Sequence, residues 1–136
     1  DSLDVYASYA HTDAAISESS EPTEVGKPLS ATPDHQASIW TTYRPDNWNG
    51  FKIGAGARYV GNTSDGYVTF SGNQLHLETP SYTVFDAMIG YDWDNYSLSL
   101  DVDNLTDKTV LTSCLSRGDC FYGQQRTIMA NFRYNF

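Results

Sequence analysis

Polar and apolar residues alternate with a period of two along most of the chain, the pattern of half-buried strands and not of helices. Near the start Leu3, Val5, Ala7 and Tyr9 are apolar while Ser2, Asp4 and Ser8 are polar, with Tyr6 as the exception. The next strand, about residues 36–43, sets Ala37, Ile39 and Tyr43 on one face and stops at Pro45-Asp46-Asn47-Trp48-Asn49-Gly50, a stretch of turn formers. Phe51, Ile53, Ala55, Ala57 and Tyr59 then alternate with Lys52, Gly54, Gly56 and Arg58. Phe85, Ala87, Ile89, Tyr91 and Trp93 face away from Asp86, Gly90 and Asp92, and Asp94-Asn95 is as short as a tight hairpin allows. Tyr96, Leu98, Leu100 and Val102 oppose Ser97, Ser99, Asp101 and Asp103. In the last strand Ile128, Ala130, Phe132, Tyr134 and Phe136 oppose Thr127, Met129, Asn131, Arg133 and Asn135.

About six antiparallel strands are therefore expected, joined alternately by long polar loops (residues 12–33, 61–80 and 106–122) and very short turns (45–50 and 94–95). Outer-membrane barrels have this asymmetry, with short periplasmic turns and long extracellular loops. A soluble antiparallel sandwich also alternates, but three features favour the membrane. The polar faces carry Lys52, Arg58, Asp86, Asp92, Asp101 and Arg133, more charge than the inside of a small soluble barrel accepts. Trp48, Trp93, Tyr96, Tyr134 and Phe136 gather at the short-turn ends, where an interfacial aromatic girdle belongs. Strands of roughly 9–11 residues suit a tilted crossing of the hydrocarbon. The fold class expected is all-β, with antiparallel strands forming the C-terminal part of a transmembrane β-barrel. Six strands cannot close such a barrel, and open edges in lipid go unsatisfied. Residues 1–136 thus read as one C-terminal segment, with earlier strands N-terminal to it.

Composition narrows the function. Aromatics reach 14% while mean hydropathy is only −0.47. No run of about 18 apolar residues suggests a membrane helix, and the first residues carry neither the basic nor the apolar region of a signal peptide. A net charge of −9 argues against nucleic acid as a partner. His11, His35 and His76 lie far apart and pair with no Cys at metal-ligand spacing, so no metal role is assigned to them. Neither G-x-S-x-G nor H-E-x-x-H occurs, and no catalytic residues or cofactor are expected. Cys114 and Cys120 would be free thiols in a reducing cytosol. Between hairpin signals, in an oxidising compartment, a small disulfide is the better reading.

Four segments, in order, resemble the TonB-dependent receptors of Gram-negative outer membranes. They are Ile53-Gly54-Ala55-Gly56-Ala57-Arg58-Tyr59-Val60-Gly61, Pro80 to Tyr91 (PSYTVFDAMIGY), Asp103-Asn104-Leu105-Thr106-Asp107-Lys108, and Cys120-Phe121-Tyr122-Gly123-Gln124-Gln125-Arg126-Thr127 running on to Tyr134-Asn135-Phe136. The likeness covers about residues 29–136, and the paired cysteines resemble the ferric hydroxamate branch, the ferrichrome and ferrioxamine receptors. Asn135 departs from the Arg often found there.

The resemblance implies a multi-pass, plugged 22-stranded barrel that takes up a ferric siderophore. Outer-membrane lipid and lipopolysaccharide would surround it, and TonB would act through an N-terminal region outside this chain. Loop aromatics Tyr67, Phe70, Phe121 and Tyr122 are candidate ligand contacts, apolar surfaces of the kind pockets favour. Asp86, Asp101, Asp103, Arg58 and Arg133 would line the lumen. Phe132, Tyr134 and Phe136 would form a signal for the barrel-assembly machinery, read by strand addition. The rival readings are a passive outer-membrane porin or adhesin barrel, and an outer-membrane hydrolase. Against the hydrolase, all three histidines fall in or beside loops.

Overall fold

The computed structural model describes residues 2–71, 73–115 and 118–136; the side chains of Thr69, Phe70 and Gln74 lie outside the described set. Among the described residues there is no helix long and apolar enough to cross a membrane, and the helical content is two single 3-10 turns, Pro22–Glu24 and Asp46–Trp48. Six strands form one antiparallel sheet. They are β1 (Leu3–His11), β2 (His35–Tyr43), β3 (Phe51–Val60), β6 (Tyr82–Trp93), β7 (Tyr96–Asp103) and β10 (Thr127–Tyr134), adjacent in that order. Two small hairpins stand apart from it, β4 (Thr63–Phe70) with β5 (Asn73–Thr79), and β8 (Leu111–Cys114) with β9 (Cys120–Tyr122).

The six strands expected from alternation are those of the sheet. The polar connections 61–80 and 106–122 differ from expectation, because each folds back as a hairpin. The reason they read as loops is local: register slips between Ser64 and Gly66 in the first and between Leu111 and Ser113 in the second. A bulge puts two residues opposite one and breaks the period-two pattern on which a sequence reading depends.

Register brings the apolar set of every strand to one face. Leu3 lies opposite Tyr43, Tyr43 opposite Ile53, and Ile53 opposite Ile89; beyond it Ile89 lies opposite Leu100, and Leu100 opposite Ala130. Among the described residues nothing covers that face. Ile39, Ile53, Phe85, Ile89, Leu98, Leu100, Ile128 and Phe132 are all exposed, and the only buried hydrophobic residues among those described are Val84 and Val110. A soluble sandwich would place a second layer there, since apolar patches beyond a few hundred Å² on a monomer mark an interaction surface or a membrane.

Rings close the short-turn end of this face. Phe51 and Tyr91 lie 4.4 Å apart, Tyr91 and Trp93 5.4 Å, Trp93 and Tyr96 5.3 Å, Tyr96 and Tyr134 4.8 Å, and Tyr134 and Phe136 4.8 Å, centroid to centroid. Trp48 packs edge-on against Tyr43 at 5.5 Å. The expected girdle is thus a continuous belt across four strands. The turn beneath it is tight: Gly50 has φ +94° and its carbonyl accepts the Asp92 amide N–H at 2.9 Å, and a Cβ at Gly50 would strike the Asp92 carbonyl.

The opposite face is polar, with charges paired across strands. Lys52 Nζ reaches both Asp92 oxygens at 2.8 and 2.7 Å, and Ser97 donates to Asp92 at 2.5 Å. Asp101 accepts from Ser99 and from Asn131, each at 2.8 Å, and Arg44 pairs with Asp4. Tyr6, the exception to the first alternation, falls on this face opposite Trp40, which lies opposite Gly56. The indole rests on backbone: a Cβ at Gly54 or Gly56 would sit 2.6 or 2.5 Å from its ring atoms. The glycines keep this position clear for a large flat side chain.

Candidate functional site: the rim and its two hairpins

All long connections leave the sheet at one end, and there the inner face changes into a braced rim. Arg58 on β3 donates through Nε and Nη2 to the two carboxylate oxygens of Asp86 on β6, at 2.6 and 2.9 Å, the fork-to-fork geometry that carboxylates favour. Asp86 also accepts the Asn104 backbone N–H at 2.9 Å. Asn104 is 2% exposed and sits at φ +53°, a left-handed position that Asn tolerates better than most residues.

Its side chain ties three segments together. Nδ2 donates to the carbonyls of Lys108 (2.8 Å) and Gln124 (3.2 Å), while Oδ1 accepts from the Lys108 amide (2.9 Å). Nearby the Leu105 amide donates to the Phe85 carbonyl at 2.7 Å, and Asp107 accepts the Arg126 amide at 3.0 Å. The segment that sequence comparison marks as a motif is therefore a knot. It fixes where the chain leaves β7 for the β8–β9 hairpin and where it returns to β10.

Above the knot lies a small cavity of about 70 Å³, lined by Arg58, Tyr82, Val84, Asn104 and Val110 among others. Gly123 seats the hairpin: its amide donates to the Val110 carbonyl at 2.9 Å, and a Cβ there would meet Val110 Cγ2 at 2.6 Å. Cys114 and Cys120 are joined by a disulfide across this hairpin, as expected. Phe121 and Tyr122 are exposed, Tyr122 at 72%. As consecutive residues of β9 they face opposite ways.

The β4–β5 hairpin is held differently. Asp65 is 2% exposed and accepts hydroxyl hydrogen bonds from Thr63 (3.1 Å) and Thr79 (2.6 Å), which closes the base of the hairpin. Tyr67 stacks on His76 at 4.8 Å and has the Lys27 ammonium 4.4 Å from its ring centroid. His76 also contacts Ser64 at 2.9 Å and Glu78 at 3.2 Å. The Tyr67 ring thus ties the connection 12–33 to this hairpin.

Of the candidate ligand contacts, Tyr67 stands on one hairpin and Phe121 and Tyr122 on the other, and β8 packs on β4–β5. The Phe70 side chain lies outside the described residues. Of the expected lumen charges, Arg58 with Asp86 and Asp101 with Asn131 are engaged as above. Sequence reading missed Asn104, Asp65 and Lys27 as structural ties. The clustering of Asn and Asp around 103–107 was the one available signal, since such residues favour left-handed and turn positions.

A one-sided sheet with an aromatic belt at one end and two hairpins, one of them strapped by a disulfide, at the other now has a direct counterpart. Residues 2–105 match the family model described as TonB dependent receptor-like, beta-barrel. The chain belongs to this family. It is 37% identical over its whole length to the Ferrioxamine B receptor of Salmonella typhimurium (strain SL1344), and 30% identical over 99% of it to the Ferrichrome outer membrane transporter/phage receptor of Escherichia coli (strain K12). Among solved structures it superposes on the ferric-catecholate import receptor Fiu from K12 E. coli with a TM-score of 0.77, at 27% identity over 99% of the chain. The chain spans about a fifth of these relatives, 19% of the Salmonella receptor, 18% of the E. coli transporter and 19% of the Fiu chain. Its strands are those of a TonB-dependent receptor barrel in the outer membrane of a Gram-negative bacterium, and the family is one of receptors and transporters rather than of enzymes.

Proposed function

We propose that this TonB-dependent receptor segment is the C-terminal wall and part of the ligand mouth of a transporter for ferric siderophores of the hydroxamate class, and that it catalyses no reaction. The observation that carries the reading is the similarity to the ferrioxamine B and ferrichrome proteins along essentially the whole of this chain. The unpaired edges of β1 and β10 support a wall completed by further strands, as closure in lipid requires. In this reading a plug and a TonB-contacting region lie outside the chain. Lipid and lipopolysaccharide cover the apolar face, and Phe121 and Tyr122, with Tyr67 and Phe70, border the path of the ligand. Phe132, Tyr134 and Phe136 are read by the barrel-assembly machinery as β10 is added.

The test is uptake of radiolabelled iron as ferrioxamine B, ferrichrome and a catecholate complex by a receptor-deficient strain carrying the full-length receptor. Hydroxamate uptake that needs TonB is the expected result. TonB-independent conductance without uptake would establish the porin reading instead. Deleting Phe136 should lower the outer-membrane level of the receptor severalfold, and unchanged levels would leave Phe136 an ordinary girdle residue.

A further inference from the structure

At the rim end of β1 and β2 two histidines that lie on either side of the first long connection come face to face. His11 and His35 are cross-strand partners, and their rings stack with centroids 4.7 Å apart. The Thr12 amide donates to the Asp34 carbonyl at 2.9 Å, so Thr12 and Asp34 form a hydrogen-bonded position. His11 and His35, one step before, occupy a non-hydrogen-bonded pair, the arrangement that brings opposed side chains closest.

We propose that His11 and His35 form a binding site for a first-row transition-metal dication, separate from the path of the siderophore. The hydrogen bonds on the rings prepare them for this. His11 Nδ1 lies 3.0 Å from the Asp34 carbonyl oxygen, which can only accept, so Nδ1 carries the hydrogen and the lone pair of the neutral ring is on Nε2. His35 Nδ1 lies 2.9 Å from the Tyr9 hydroxyl, which can accept from it, and in that tautomer the lone pair of the His35 ring is likewise on Nε2. An oxygen partner on one ring nitrogen that fixes the tautomer and raises the basicity of the other is the usual support of a metal-bound imidazole. Both rings are exposed, so modest side-chain rotations bring the two Nε2 atoms to one ion at the ~2.0–2.1 Å of imidazole ligation.

The surroundings choose the sign of the ligand. A depression of about 270 Å³ beside the pair is lined by His11, Asp13 and Asp34 with small and backbone groups, and by no Lys or Arg. The nearby Lys27 ammonium is occupied over the Tyr67 ring. This end of the pair therefore attracts a cation and repels a phosphate. Among the described residues no three metal-binding side chains converge, so two imidazoles hold the ion and water completes its shell. Imidazole ligands select Cu²⁺, Ni²⁺ or Zn²⁺ over Mg²⁺ and Ca²⁺. The pair continues the outward face of Tyr9, opposite to the inner face bearing Arg58 and Asp86, which separates it from the lumen.

The probe is Cu²⁺ added to the tag-free, full-length receptor in detergent. Its electron paramagnetic resonance spectrum should show superhyperfine splitting from two nitrogens, and the double variant His11→Ala/His35→Ala should bind one ion fewer than the wild type. Either single substitution should weaken that ion at least tenfold, and Tyr9→Phe about tenfold through loss of ring orientation. TonB-dependent uptake by the double variant shows that it is folded and that the site is separate. In the unmodified receptor, Zn²⁺ should protect His11 and His35, but not His76, from diethyl pyrocarbonate, as read by peptide mass spectrometry. Equal copper stoichiometry in the wild type and the double variant, or equal modification with and without Zn²⁺, would overturn the proposal and leave the pair as stacked rim rings.

Discussion

The six-stranded wall and the two rim hairpins are built from the same β-structure but held by different physics. Every wall strand keeps one register from end to end, and its stability rests on the ladder and on transfer of a continuous apolar face into lipid. The hairpins slip register within a few residues and stand outside the six-stranded sheet. They rely on point devices instead: the Asn104 knot, the Cys114–Cys120 disulfide and the buried Asp65. A uniform solvent on one face stabilises a regular pattern, whereas an irregular segment in water needs a specific bond at each place where it must not move.

The sharpest way to break this contrast is to put charge on the wall. Leu100→Arg, at the middle of the outward face between Ile89 and Ala130, should cost about 2–4 kcal/mol and sharply reduce folded, heat-modifiable receptor. Ser99→Arg, one residue away on the polar face, should assemble nearly normally. Equal losses for the two would mean that the apolar face is not the lipid face.

Asn104→Ala comes next. It removes three hydrogen bonds from a buried side chain and leaves two carbonyls and an amide without these partners, a cost of about 2–3 kcal/mol. Hydrogen exchange should rise around residues 105–126 while β1–β3 stay protected. An increase spread evenly over the wall would contradict a local knot.

Replacing both Cys114 and Cys120 with Ser should cost about 2 kcal/mol locally by the chain-entropy model. It should speed proteolysis of the β8–β9 hairpin and leave barrel assembly unchanged. Loss of the assembled barrel would show that the hairpin supports the wall. The smallest effect is expected for Asp65→Asn, about 1 kcal/mol. The amide oxygen still accepts one threonine hydroxyl but no longer two charge-assisted bonds, and proteolysis of β4–β5 alone should quicken.

How much of this was legible in the linear chain differs between the same two regions. Alternation from Phe51 to Tyr59 and from Tyr96 to Asp103 was enough to find the strands, to predict the apolar face and to place the girdle rings. In a sheet with one uncovered face, side-chain direction follows from position parity alone. The disulfide was also within reach, since Cys114 and Cys120 are close in sequence. The hairpins within 61–80 and 106–122 were not, because their bulges erase parity.

The chain by itself therefore determined which residues face lipid and which face the lumen, consequences of a repeat only two residues long, while the family was legible in four short motifs that resemble its members. Tertiary structure alone decided which residues distant in the chain meet. Trp40 found Gly54 and Gly56, Asp65 found Thr79, Asn104 found Gln124, and His11 found His35. Each of those meetings depends on which strand pairs with which and in what register. Pairing is set by the sum of many cross-strand contacts, so no short stretch of sequence contains it.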